Sequence, residues 1–265
     1  MEHPGEYANR LPRVAETALI TGASAGIGEQ FARQLAARGY DLILVARRKD
    51  RLEQLAQDLP TKTAVIECDL ATEADELASK VKRSELQVDL LINNAGFGLR
   101  GHFTELDPKR EAEMVRVNCE AIVTLTHAFV PAMVERGRGG VITVASTAGM
   151  QPLPYEVTYA ASKAFAISMM EALWMELRGT GVTLTVVNPG PVKTEWQEVA
   201  GYDEQTPIPP GMITAERCVK DALRAYDRKK RSVVTGRFFP WFMRAGKGPK
   251  GVKLRVAERM YRPKS

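Results

Sequence analysis

The stretch from Val14 to Arg38 constrains this chain more than any other. Val14 to Ile20 (Val-Ala-Glu-Thr-Ala-Leu-Ile) reads as a buried strand, Thr21-Gly22-Ala23-Ser24-Ala25-Gly26-Ile27-Gly28 as a glycine turn, and Glu29 to Arg38 as a helix. Glycines let a backbone turn sharply and approach a ligand closely, and a helix start offers N–H groups and a positive dipole end to a pyrophosphate. The spacing is G-x-x-x-G-x-G rather than the commoner G-x-G-x-x-G. A glycine cluster alone is as often a plain turn; the strand before it and the helix after it favour nucleotide binding.

The rest of the chain repeats this rhythm. Asp41 to Val45, Lys62 to Glu67, Val88 to Ile92, Val141 to Ala145, Val182 to Val187 and Ser232 to Thr235 read as further strands, separated by helical stretches such as Pro108 to Arg136. Such alternation implies a parallel sheet covered by helices on both faces. At 265 residues and 45% hydrophobic content the chain can bury a substantial core, and no linker interrupts it, so residues 1–237 are expected to form a single domain.

The second strand ends at Ala46-Arg47-Arg48. A site for NAD usually places a carboxylate here for the ribose hydroxyls, whereas a 2'-phosphate is repelled by an acid and needs a cation. Arg47 and Arg48 therefore favour NADP(H), with the Ser24 hydroxyl as a further phosphate contact. The competing reading is a pair of solvated charges at a helix entry.

Tyr159 and Lys163 are four residues apart in Tyr-Ala-Ala-Ser-Lys, within a segment that forms helix well, so phenol and ammonium share one face. Bringing a tyrosine from a pKa of about 10 toward ~7 requires roughly 4 kcal/mol of preferential stabilisation of the phenolate. A fixed lysine cation supplies part of it, and such a tyrosine can exchange a proton with an alkoxide near neutral pH. Ser146, thirteen residues upstream at the end of an apolar run, would bond the same oxygen. Taken alone the pair is also what a packed ring beside a solvated charge looks like.

Taken together, Thr21-Gly22-xxx-Gly26-Ile27-Gly28, Asp69, Asn93-Asn94-Ala95-Gly96, Asn118, Ser146, Tyr159-xxx-Lys163 and Pro189-Gly190 resemble the short-chain dehydrogenase/reductase family in its compact single-domain branch. The resemblance covers Val14 to Thr235. It implies a Rossmann-type, doubly wound, seven-stranded parallel sheet with helices on both faces, and a nicotinamide cofactor across the carboxyl ends of its strands. By the same resemblance Tyr159 would be the general acid/base and Ser146 would polarise a substrate carbonyl. Lys163 would lower the Tyr159 pKa and bond the nicotinamide ribose, and Asn118 would hold the water of a proton relay. Gly22, Ser24, Gly26, Ile27, Gly28, Arg47 and Arg48 would hold the phosphates. Asp69 and Leu70 would meet the adenine, and Asn94, Ala95 and Gly96 would line the adenosine and ribose side. Asn93 would be structural, tying neighbouring strands. Pro189, Gly190, Val192 and Thr194 would pass beneath the nicotinamide, with the Val192 backbone and the Thr194 hydroxyl on the carboxamide. The implied reaction moves hydride between nicotinamide C4 and a carbonyl or alcohol carbon while Tyr159 handles the proton.

Glu195 to Met212 lies where the family carries a mobile substrate lid. Trp196, Val199, Tyr202, Ile208 and Met212, with Phe97, Leu99, Met150 and Leu153, would make an apolar wall for a hydrophobic ketone, 3-oxoacyl or steroid-like substrate, and Gln151 and Glu156 would add polar contacts. The competing function is an NADP-binding scaffold or redox sensor. An intact Ser146, Tyr159 and Lys163 argues against it, because a binding protein has no physical need for a tuned acid.

Charge is unevenly distributed. Residues 228–265 carry thirteen Lys or Arg and one acid, a net of +12, and the other 227 residues a net of −7. The basic, aromatic extension 238–265 suits an anionic membrane surface; a subunit interface or packing over the substrate pocket are its alternatives. No nucleic-acid motif accompanies the charge. No stretch reads as approaching the roughly 20 apolar residues of a membrane span, and Met1 to Arg13 does not read as a signal peptide. Cys68, Cys119 and Cys218 lack metal-like spacing and read as reduced thiols of a cytoplasmic protein, and His3, His102 and His127 form no ligand cluster, so no metal is expected. The family resemblance adds a homodimer or homotetramer formed through the helices at Pro108 to Arg136 and Thr158 to Arg178.

Overall fold

The computed structural model describes residues 16–84, 86–201 and 211–236, together with Leu254, Arg255, Glu258, Arg259 and Arg262. Seven strands form one parallel sheet: β1 (Thr17–Thr21), β2 (Asp41–Ala46), β3 (Thr63–Glu67), β4 (Leu90–Asn93), β5 (Gly139–Val144), β6 (Val182–Pro189) and, after two short strands, β9 (Ser232–Thr235). Their spatial order is β3-β2-β1-β4-β5-β6-β9. β1 pairs in parallel with β2 on one side and β4 on the other. The winding reverses there, which opens a crevice at the carboxyl ends of β1 and β4.

Both faces of the strands are buried, which is why they are apolar nearly throughout. Alternation along each strand divides the residues between two cores. Leu19, Ile43, Val45, Leu91, Val141, Leu184 and Val186 face one side. There they meet α3 (Ala74–Arg83), α5 (Ala121–Glu135) and α6 (Val157–Glu176). Ala18, Ile20, Leu42, Leu44, Leu90, Ile92, Ile142 and Val144 face the other. That side is covered by α1 (Gly26–Ala36), α2 (Lys49–Asp58) and α8 (Ala215–Asp227). Each fully buried Leu or Ile contributes about 1.5–3 kcal/mol, so the pattern leaves each strand little choice of face.

Several boundaries differ from the sequence reading for physical reasons. Helix α1 begins at Gly26, inside the glycine turn, rather than at Glu29. Val14 and Ala15 of the expected first strand lie outside the described residues. The stretch expected as one helix from Pro108 is α4 (Pro108–Val115), a π turn (Arg116–Glu120) and α5. Within it the Ala121 N–H reaches back five residues to the Arg116 carbonyl. This continuous helix corrects one expectation, because residues 108–135 are long and apolar enough to cross a membrane. Half of its most apolar window is buried inside the protein, as in a core helix.

A feature with no sequence signal is a two-stranded parallel pair, β7 (Val192–Lys193) with β8 (Ile213–Thr214). It clamps both ends of the segment expected to be a lid, whose start forms a short helix, α7 (Trp196–Val199). Tyr202 and Ile208 of that segment lie outside the described residues, as does most of the 238–265 extension.

Candidate active site

In a parallel sheet all carboxyl ends lie along one edge, and apart from Asn118 in the π turn and Tyr159 and Lys163 in α6, the motifs singled out in the sequence follow strands. The glycine turn follows β1, Arg47 and Arg48 follow β2, Asp69 follows β3 and Asn94 to Gly96 follow β4. Ser146 follows β5, and the Pro189–Thr194 loop continues β6. Topology alone therefore gathers residues more than a hundred positions apart.

The turn after β1 is locked to β4. Thr21 Oγ1 donates to the Ile92 carbonyl at 3.1 Å and accepts from the N–H groups of Asn94 and Ala95, both at 3.0 Å. Asn94 Nδ2 donates to the carbonyls of Thr21 and Gly22 at 2.8 and 3.3 Å. The inter-strand tie expected of Asn93 is thus made by Asn94. Asn93 instead points to the other side and donates to Thr126 Oγ1 in α5 at 3.3 Å, since successive residues at a strand end face opposite ways.

Gly22 and Gly26 hold positive φ of 65° and 58°. A Cβ on Gly28 would lie 2.1 Å from the Gly22 carbonyl oxygen, so this glycine lets α1 start directly against the turn. Ala25, which precedes α1, gives no side-chain cap. The first N–H groups of the helix, Ile27 among them, are thereby left without a side-chain cap, and a side chain on Gly22 or Gly28 would press on Asn94 and break the close packing of the turn. These features fit the pyrophosphate of a dinucleotide.

At the adjacent rim, Arg48 donates through Nε and a terminal nitrogen to Ser24 Oγ at 3.2 and 3.1 Å. Arg47 turns away, its guanidinium 3.3 Å from Glu113 of α4. The two arginines that looked equivalent in sequence thus face different partners. Asp69 closes its own turn, its Oδ1 accepting from the Ala71 N–H at 3.0 Å, and Leu70 is buried in the core of the first face.

Ser146, Tyr159 and Lys163 come together. Ser146 caps the short 3-10 helix Thr147–Met150, accepting from the Ala148 N–H at 3.1 Å. Its hydroxyl also bonds the Tyr159 phenol, which favours the ionised form. Lys163 lies one turn along α6, its Nζ 5.9 Å from the centre of the Tyr159 ring and 3.1 Å from the Val144 carbonyl. Burial nevertheless dominates the phenol: it pushes the Tyr159 pKa well above its ordinary value, and the Glu156 carboxylate adds to the rise. Burial also lowers Lys163 to about 8. The expectation that Lys163 brings Tyr159 toward neutrality is therefore not met in the free protein. Both groups have lost their hydration, and a desolvated ammonium that is itself close to giving up its proton is a weak counter-charge.

Asn118 sits in the π turn, fully buried. Its Oδ1 accepts from the Phe97 N–H at 3.2 Å, and its Nδ2 donates to the Phe97 carbonyl at 3.0 Å and to Ser162 Oγ at 2.9 Å. Ser162 in turn donates to the Tyr159 carbonyl at 2.8 Å. The amide thereby joins the loop after β4 to the helix that carries Tyr159. Gly96 lies against this joint, where a Cβ would approach Asn118 Oδ1 to 2.8 Å and Lys163 Nζ to 3.1 Å.

An apolar wall surrounds the phenol. Phe97, Met114, Val117 and Tyr159 form one cluster, with Leu99, Ala148 and Trp196 packed against it. The Trp196 ring is 5.1 Å from that of Tyr159. Leu153 packs with Ala160 a little apart, while Met150 and Val199 are exposed. Gln197 Nε2 donates to the Val192 carbonyl at 2.6 Å, and Thr194 Oγ1 accepts from the Trp196 N–H at 3.2 Å, so the loop after β6 holds its own shape. Thr147 Oγ1 donates to the Pro189 carbonyl at 3.1 Å, and the loop runs on through Gly190.

Sequence reasoning missed four contributors. Thr21, quoted only within the glycine motif, and Ser162 are small hydroxyls with no periodic signal; Glu156 was read only as a polar contact to substrate, and Arg51 was not singled out. Arg51 is legible in retrospect as the residue three positions beyond Arg48 on α2.

A family model described as short chain dehydrogenase matches residues 16–205. A very-long-chain 3-oxoacyl-CoA reductase from Phaeosphaeria nodorum is 34% identical over 222 residues, 80% of this chain. The chain spans about 65% of the length of that fungal relative. A short-chain dehydrogenase from Sphingobium yanoikuyae, solved in complex with NADPH, is 31% identical with a TM-score of 0.77, over 83% of this chain and 87% of that one. A bulky-bulky ketone specific alcohol dehydrogenase from Comamonas testosteroni is 29% identical with a TM-score of 0.72, over 83% and 85%. With its winding order, its glycine turn and its Ser146, Tyr159 and Lys163 cluster, this chain belongs to the short-chain dehydrogenase/reductase family.

Proposed function

We propose that the protein is an NADP(H)-dependent oxidoreductase that interconverts a carbonyl and a secondary alcohol on a hydrophobic substrate. The observation that carries this reading is the convergence of Ser146 and Lys163 on a buried Tyr159 beside an apolar wall. When bound, the nicotinamide supplies or accepts the hydride.

The chain's own residues do the remaining work. Burial keeps the Tyr159 phenol protonated in the free protein, the form needed to donate to a developing alkoxide. Ser146 bonds the same oxygen and would orient a carbonyl between the two hydroxyls. Lys163 holds positive charge next to the ring, and Phe97, Leu99 and Trp196 exclude water from it. Asn118 has its amide engaged by Phe97 and Ser162, so the water of a proton relay falls to its backbone carbonyl in the π turn. Ser24 and Arg48 support the choice of NADP(H), because they offer a hydroxyl and a guanidinium where NAD sites present an acid. The 3-oxoacyl and bulky-ketone relatives support a large apolar substrate. Helix faces carrying exposed Val115, Val134, Phe165 and Met175 support a homodimer or homotetramer.

The test is NADPH and NADH oxidation against 3-oxoacyl esters, bulky ketones, aldehydes and oxo-steroids. Turnover with NADPH should vanish in Tyr159→Phe while NADPH affinity stays nearly intact. Retained turnover in that variant would remove Tyr159 from the acid role. Tight NADPH binding without turnover on any compound would favour the scaffold reading.

A further inference from the structure

Glu195 joins two parts of the site. Its carboxylate accepts from Arg48 at 2.8 Å and from Arg51 at 2.7 and 3.0 Å. Arg48 at the same time donates to Ser24 Oγ at the end of the glycine turn. Two guanidinium groups thus converge on one acid, with the Ser24 hydroxyl bonded to one of them. That donor set also suits a phosphate monoester, which presents similarly spaced oxygens with more charge. The arginines hold the Glu195 carboxyl below its ordinary pKa, so it is a full anion at neutral pH.

The neighbours of Glu195 in sequence reach the rest of the site. A Cβ on Gly26 would lie 3.0 Å from Thr194 Cγ2, so the residue before Glu195 rests on the glycine turn. The residue after it, Trp196, packs on Tyr159 and on Gly98, where a Cβ would come within 2.5 Å of the indole. Glu195 immediately precedes α7 and Trp196 is its first residue, so a backbone shift at Glu195 would carry Trp196 with it.

We propose that Glu195 is a specificity-determining residue, an internal occupant of the anion site of Ser24, Arg48 and Arg51, which the 2'-phosphate of NADP displaces and whose departure shifts Trp196 against Tyr159. This rests on the NADP reading given above. Two anions cannot share the guanidinium pair, and a dianionic phosphate outcompetes a carboxylate. NADH carries no group that requires Glu195 to leave, so the displacement burdens NADPH alone. Arg51 becomes a second cation that reads the phosphate, one turn along α2 from Arg48. Since Arg48, Arg51 and Glu195 are each nearly half exposed, the competition is modest in size.

The test uses 2',5'-ADP, which carries the phosphate without a nicotinamide, and 5'-AMP, which lacks only that phosphate, titrated calorimetrically into the full chain. Glu195→Gln should tighten 2',5'-ADP by about threefold to tenfold and leave 5'-AMP unchanged. Arg51→Gln should weaken 2',5'-ADP by a similar factor, and adding it to Glu195→Gln should remove most of that gain. In the wild type, 2',5'-ADP should change the tryptophan emission; the change should be lost in Trp196→Phe and in Glu195→Gln, while thermal midpoints confirm that both variants fold. A wild type that prefers 2',5'-ADP to 5'-AMP, with affinity unchanged in Glu195→Gln, overturns this proposal alone. Equal gains for both nucleotides in that variant overturn it as well, and so does an emission change that survives Trp196→Phe. A wild type that does not distinguish the two nucleotides overturns both this proposal and the NADP reading.

Discussion

Lys163 Nζ donates to the carbonyl of Val144 at 3.1 Å, which fastens the helix bearing Tyr159 to the strand whose end presents Ser146. The bond adds to the close packing of Gly149 on the α6 backbone in holding together two elements that must act on one oxygen. It also places the ammonium where water cannot solvate it, and the Lys163 pKa falls to about 8.

That shift predicts a pH dependence of stability. An unfolded lysine keeps its proton up to about pH 10.5, so between about pH 8 and 10.5 the unfolded chain binds more protons at this position and stability rises with pH. Below about pH 8 the cost of burying the ammonium is fully present. Against Lys163→Met, in which this titration is absent, the wild type should gain ~2 kcal/mol between about pH 8 and 10. Urea unfolding of both proteins at matched pH measures it, and the difference cancels the opposing titration of buried thiols and phenols common to the two. A constant difference would show that Lys163 is not desolvated.

Arg47 and Arg48 should separate. Arg48→Ala is expected to weaken NADPH by about fivefold or more, through loss of a guanidinium from a phosphate, and NADH little. Arg47→Ala, which removes one of the two arginines on Glu113 and leaves Arg110, should alter NADPH affinity by about twofold or less. Fluorescence titration of the two cofactors distinguishes them, and equal losses would mean that Arg47 also reads the phosphate.

Asn118→Ala removes the partner of both the N–H and the carbonyl of Phe97. Two buried backbone groups left unpaired should cost about 2–4 kcal/mol. The chemical-denaturation midpoint reports this, and a loss under about 0.5 kcal/mol would show that water replaces the amide.

Gly96→Ala tests the joint differently. Its Cβ would press on Asn118 Oδ1 and on Lys163 Nζ, the latter at the end of a flexible chain. Lys163 should therefore be pushed off Val144, with turnover falling at least about tenfold, which corresponds to 1.4 kcal/mol of barrier, and cofactor affinity falling less. Unchanged turnover would mean that the ammonium moves without consequence.

Much of the fold was legible because its signals are local. A strand buried on both faces is an apolar run, and β2 and β9 fall within a residue of where hydrophobicity put them. The start of α1 was misplaced because glycine weakens every helix signal, although the helix runs from Gly26, which enters it at positive φ, through Gly28. The π turn at Asn118 was invisible, since what holds it is the backbone of Phe97, 21 residues away.

By itself the sequence determined the α/β class, the order of the motifs along the chain and the chemical types that the site contains, because periodicity, glycine turns and i, i+4 spacing act within a few residues. Only the tertiary structure decided that Arg48 rather than Arg47 meets Ser24, that Asn94 rather than Asn93 ties β1 to β4, and that Tyr159 is kept protonated by burial. It alone brought Glu195 to Arg48 across 147 positions. Each of these depends on which side chains the carboxyl edge of the sheet brings together and on how much water it leaves them, and no local pattern encodes either.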